Sequence, residues 1–129
     1  MEARIDTQIR REVEWYRGRW ADGGMATFDG PARAIRCAYA MREFTSRADL
    51  PLRAALHTGD CDLSVQGFAS GFTVEVAGCL WAHAQARQIL VSRVVKDLVA
   101  GSGIEFEEAG EPYTTPQGER GPLFTVRAC

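Results

Sequence analysis

Two hydrophobic periods alternate along this chain, and their order constrains the fold more than any other feature. Ile35, Ala38, Met41 and Phe44 recur at helical spacing and predict a helix over 31–47. Asp29 is placed to cap it, and Pro31 suits its first turn. LRAALHT at 52–58 then reads as a strand, ended by a Gly59-Asp60 turn signal. Upstream, Ile5, Ile9 and Val13 predict an amphipathic helix over 3–17, closed by Gly18. The turn Ala21-Asp22-Gly23-Gly24 leads into a short strand at 25–28. Downstream, 61–65 reads as the returning strand of a hairpin with 52–58, and 67–71 as a loop. A third helix is expected over 74–86, with its Ala, Leu and Trp residues on the buried side. A short strand follows at 88–91, then a helical turn capped by Ser92 that runs to Val99 and stops at Gly101 and Gly103. Strands at 104–106 and 123–126 close the chain, joined by a polar loop. No repeat, linker or low-complexity stretch interrupts this order, so residues 1–129 form one domain of the α+β class.

The chain is 129 residues, 46% apolar and 25% charged, enough for a core without covalent staples. Its net charge of −2 argues against a nucleic-acid binder relying on bulk positive charge. No apolar run approaches the ~18 residues that a membrane span requires. The opening residues MEARIDTQIRREVEW are too charged for a signal peptide, so a cytoplasmic protein is expected. Cys37, Cys61, Cys79 and Cys129 are spread singly, without CxxC or histidine at ligand spacing. That pattern predicts reduced, mostly buried thiols instead of a disulfide framework or zinc site.

Three segments carry more than periodicity. MATFDGPARAIRCAYAMRE at 25–43, RAALHTGD at 53–60 and VSRVVKDLVAGSGIEFEEAGE at 91–111 closely resemble, in order, the class III nucleotide cyclase catalytic domain. The similarity is nearest to the actinobacterial adenylyl cyclases and extends over about residues 10–126. It implies a ferredoxin-like cyclase-homology sheet with helices packed on it. It also implies dimers with active sites at the interface, where two Asp residues of one protomer hold two metal ions. The other protomer supplies an Asn that orients the ribose and an Arg that stabilises phosphate charge, and a Lys with an Asp or Thr selects adenine.

Few of those roles carry over. The family's opening strand bears the first metal Asp, and no segment here matches it, so the fold is expected to lack that first strand. Asp6 is nearest but lies in a helical pattern. Asp22, before Gly23, matches the second metal position, yet a turn Asp usually bonds nearby amides, and one carboxylate makes a poor Mg²⁺ site. The adenine-selecting Lys has no counterpart, and the second base-selecting position falls on Phe68, which accepts no hydrogen bond from adenine. In Gly71-Phe-Thr-Val-Glu75-Val-Ala77-Gly-Cys79, Glu75 stands in the Asn place and Cys79 in the Arg place. A carboxylate where a polyanion binds inverts the electrostatics, and losing one charge-stabilising donor typically costs ~10²–10³ in rate.

Other residues have simpler readings. Glu75, Cys79 and His83 share one helix face, but about 12 Å end to end is too far for one ion. Glu75 and His83 are therefore expected at the surface and Cys79 buried. His57 reads as structural, and a Cys37–His57 dyad lacks a third member. Arg33, Arg36 and Arg42 read as a solvated helix face, and Trp15, Tyr16, Trp20 and Trp81 as core or dimer-interface groups.

The resemblance with these losses implies an inactive cyclase-homology domain serving as a dimerisation or regulatory module. The expected partner is a second copy or another cyclase-homology protein, with no nucleic acid and no membrane. No cofactor is expected, Mg²⁺ or Mn²⁺ entering only with residual nucleotide binding. Two other readings remain open: a small-ligand or nucleotide binder in the vacated cleft, and a weak or altered cyclase. A sheet without the first strand is expected to close over the gap or to take a strand from a second copy.

Overall fold

The structure is a computed structural model that describes residues 2–21, 24–63 and 69–129. The first helix, α1, spans Glu2–Trp15. It ends where Arg17 adopts a left-handed conformation and the Gly18 amide returns to the Val13 carbonyl at 2.7 Å. Gly18 is needed there for space: a Cβ would sit 2.5 Å from the Phe28 ring. A hairpin of β1 (Arg19–Ala21) and β2 (Met25–Thr27) follows, then α2 (Pro31–Arg47). The N-cap of α2 is Gly30, with no side-chain hydrogen bond, so Asp29 does not cap the helix; Pro31 holds the first turn as expected. Ile35 and Ala38 are buried, while Met41 and Phe44 are only half-buried.

The core is a four-stranded sheet in the order β3 (Ala54–Leu56), β6 (Ile89–Ser92), β10 (Leu123–Ala128), β7 (Glu105–Glu108). β3 and β6 run parallel, and the other pairs are antiparallel. β6 is central and buried along all four residues, as a strand covered on both faces must be. Its alternation divides the core in two. Ile89 and Val91 meet α2 and α4 (Arg93–Leu98) through Ile35, Ala38, Val95 and Val99. Leu90 faces the other way, onto α3 (Phe72–His83), with Val76, Leu80 and Ala84.

One expectation about pairing is corrected. The segment after the Gly59-Asp60 turn does not return along β3. It forms β4 (Asp62–Leu63), paired with β5 (Ala69–Ser70) inside the stretch expected to be a loop. The reason is the packing of α3: the Asp60 carbonyl after β3 accepts from Thr73 Oγ1 at the start of that helix, at 2.6 Å, and the chain follows α3 instead of β3. Of the two ways expected for completing the sheet, closure is not seen among the described residues, where the β1–β2 hairpin shares no ladder with β3. The polar loop before β10 contains a further hairpin, β8 (Tyr113–Thr114) with β9 (Arg120–Gly121). No helix of the described residues is long and apolar enough to cross a membrane.

Candidate functional site

The site implied by the sequence centres on the start of α3. Gly71 precedes the helix at φ +112°, a conformation that disfavours other residues, and its carbonyl accepts the Glu75 amide at 3.2 Å. Thr73 Oγ1 donates to the Asp60 carbonyl at 2.6 Å, which clamps the first turn of α3 onto the turn after β3. Gly59 makes this approach possible, because a Cβ there would lie 2.6 Å from Thr73 Oγ1. The His57-Thr58-Gly59-Asp60 segment thus serves as a docking turn for α3.

Glu75 is exposed in the first turn of that helix, its carboxylate at the end where amide donors favour negative charge. Cys79, one turn later, is half-buried instead of buried, and His83 is exposed at the last turn. Cys79 is close enough to Tyr113 to help raise its phenol pKa, after burial and Glu119. Among the described residues, no group of three or more His, Cys, Asp or Glu side chains converges on a metal-sized site, so Glu75, Cys79 and His83 remain apart. Asp22 and Phe68 lie outside the described residues. Clefts among the described residues include one of about 590 Å³ between the start of α2 and Leu98–Ser102, and one of about 280 Å³ beside His83 and Glu111; neither is lined by Glu75 or Cys79.

His57 has the structural character expected of it. Its Nδ1 lies 2.7 Å from the Oγ of Ser92, which is 2% exposed. Ser92 occupies the N-cap of α4, but its hydroxyl serves His57 and makes no capping bond to the helix. Burial pushes the His57 pKa below its ordinary value, keeping the ring neutral near pH 7. This pairing leaves Cys37 elsewhere: it is fully buried on α2, its thiol pushed up to about 12 by burial and then by Glu12. No Cys37–His57 dyad forms.

The thiols and charged groups need further correction. Only Cys37 is buried, and Cys61 and Cys129 are exposed, because Cys61 sits in a surface turn and Cys129 follows the last strand. Arg33 and Arg36 are exposed as expected, and Arg36 also donates to the Ser102 carbonyl at 3.2 Å. Arg42 donates to the Arg87 carbonyl at 3.2 Å and lies 4.6 Å from the Tyr39 ring. Trp15, the last residue of α1, is 80% exposed and is not a core residue. Sequence reasoning missed the Arg53 stack: its guanidinium lies 3.9 Å from the Trp81 ring and donates to the Ala84 carbonyl at 3.3 Å. Residues 28 apart give no spacing signal for such a contact.

No family model matches the sequence, and no curated protein is significantly similar to it. Solved structures are similar in fold. Adenylate cyclases from Trypanosoma brucei, solved in their monomeric state, match over 98% of this chain and 77% of theirs, with TM-score 0.79 and 17% identity. An adenylate/guanylate cyclase/hydrolase from Silicibacter pomeroyi matches over 98% and 83%, with TM-score 0.73 and 19% identity. The guanylate cyclase domain of RhGC from Catenaria anguillulae, in complex with GTP, matches over 98% and 81%, with TM-score 0.71 and 15% identity. The chain therefore has the fold of class III adenylyl and guanylyl cyclase catalytic domains.

Proposed function

We propose that this chain is a cyclase-homology domain without cyclase activity, acting as a dimerisation or regulatory module. The observation that carries the reading is the face of α3 in a cyclase fold. An exposed carboxylate, Glu75, stands where the resemblance puts a ribose-orienting Asn, and Cys79 stands where it puts the phosphate-stabilising Arg. A fixed negative charge there repels a triphosphate, and a neutral thiol supplies none of the compensating donors. In a homodimer both composite sites would carry the same defect. Paired with an intact cyclase, this chain would spoil the site that needs its α3, giving an inhibitory partner. The test is cyclic nucleotide formation from ATP and GTP with Mn²⁺, alongside the solution mass and the Glu75→Asn, Cys79→Arg double variant. No product from a folded wild-type dimer is expected. Metal-dependent turnover by the wild-type chain would overturn the inactive reading, and loss of that turnover in the double variant would assign the Glu75–Cys79 pair a new catalytic part.

A further inference from the structure

The four-stranded sheet has two outer strands, and the sequence treats them differently. β7 carries Glu105, Glu107 and Glu108, all exposed, the kind of charge that keeps a sheet edge from pairing with another chain. β3, at the opposite side, is Ala54-Ala55-Leu56, with no charge and no proline. In its parallel ladder the Ala54 amide donates to the Gln88 carbonyl at 2.9 Å, so Ala54 and Leu56 direct their backbone groups to β6. By the alternation of a strand, Ala55 and the flanking Arg53 and His57 turn theirs outwards. No strand of the described residues pairs with that side. Both faces of β3 are covered: Ala54 and Leu56 pack in the core under α2, and Ala55 in the core under α3. Arg53 does not guard the edge, because Trp81 and the Ala84 carbonyl draw its guanidinium onto α3. Trp81 itself is 46% exposed beside it, the type of half-covered aromatic that interfaces favour.

We propose that the β3 edge is a self-association surface, at which two copies pair β3 antiparallel about Ala55 and join their sheets. The inference rests on the dimerisation reading and concerns which surface serves it, in place of the composite-site interface that the resemblance implies. A second copy fits because the edge is self-complementary. A two-fold axis through Ala55 lets it exchange both backbone hydrogen bonds with the partner's Ala55, and sets Arg53 opposite the partner's His57. Alanines at the centre let the strands approach closely, and a neutral His57 places no like charge against Arg53. The acidic β7 edge is unsuited to pairing with its own copy, so association through β3 is isologous and closes at two chains.

The test uses Ala55→Pro on the whole chain. It removes the outward amide and leaves the bonds of Ala54 and Leu56 to β6 intact. The wild type is expected to sediment at twice the chain mass, and Ala55→Pro at the chain mass with a native circular dichroism spectrum. Amide exchange at Ala55 and His57 in the wild type should slow as protein concentration rises. A dimer that persists in Ala55→Pro overturns the edge assignment and leaves the dimerisation reading standing. A wild-type monomer overturns both. Should Ala55→Pro fail to fold, the wild-type exchange decides alone: rates at Ala55 and His57 that do not change with concentration overturn the proposal.

Discussion

His57 and Ser92 tie the end of β3 to the junction of β6 and α4, and this contact makes stability depend on pH in a calculable direction. In the neutral Nε2–H tautomer, the Ser92 hydroxyl donates to Nδ1 across 2.7 Å. Protonation would make Nδ1 a donor, leaving the hydroxyl hydrogen of a 2% exposed serine without this acceptor. It would also put a positive charge at the amide end of α4. Burial lowers the folded-state pKa below the ordinary 6.5. The unfolded chain thus binds the proton more readily, and stability is full above about pH 6.5 and falls as pH drops towards the folded-state value. One proton can change stability by at most ~1.4 kcal/mol per pH unit, and solvent around the half-buried ring reduces this further. The hydrogen bond itself contributes about 0.5–1.5 kcal/mol. The assay is urea unfolding of the wild type, Ser92→Ala, His57→Gln and the double variant, at pH 7.5 and 5.5 and one protein concentration. Ser92→Ala should cost about 1 kcal/mol at pH 7.5, with a coupling to His57 of similar size. His57→Gln should flatten the pH dependence between the two values. If it keeps the wild-type slope, or if the coupling at pH 7.5 is nil, the reasoning about this pair is wrong.

Three further outcomes are expected. Leu80→Ala, at a fully buried position between α3 and the sheet, should cost about 2–5 kcal/mol in urea unfolding, a large share of a typical domain's stability; a loss below 1 kcal/mol would mean that α3 does not pack as described. Gly18→Ala drives a methyl into the Phe28 ring and should cost about 1–3 kcal/mol, whereas Gly118→Ala, at φ +88° with open space around it, should lose less and only through backbone strain. With Ellman's reagent on the native chain, Cys61 should react fast, Cys79 and Cys129 more slowly (burial pushes the Cys129 thiol pKa up), and Cys37 only on unfolding; comparable rates for Cys37 and Cys61 would contradict the burial of Cys37 on α2.

The helices and most strands of this chain are local facts. The Ile35-to-Phe44 stripe predicts α2 over 31–47, and the structure has Pro31–Arg47. The segment at 52–58 contains β3, and Gly101 and Gly103, both at positive φ, follow the end of α4 as expected. These features were legible because apolar period and glycine punctuation act over a few residues. Pairing is a different kind of fact. Whether 61–65 returns along β3 or pairs with β5 depends on where the packing of α3 sends the chain after Asp60, and no short-range pattern records that. The same holds for side chains whose partners are distant in sequence. Ser92 has the sequence of a helix cap, but a histidine 35 residues away claims its hydroxyl, and Trp81, expected in the core or at a dimer interface, is 46% exposed with Arg53 stacked on its ring. At the candidate site the division is sharp. Sequence alone set the chemistry, a carboxylate at Glu75 and a thiol at Cys79, because residue identity needs no fold. Tertiary structure alone decided that Glu75 is exposed, that the Gly59 turn clamps α3 through Thr73, and that no strand among the described residues pairs with the outer side of β3, since each follows from which surfaces the packed core covers.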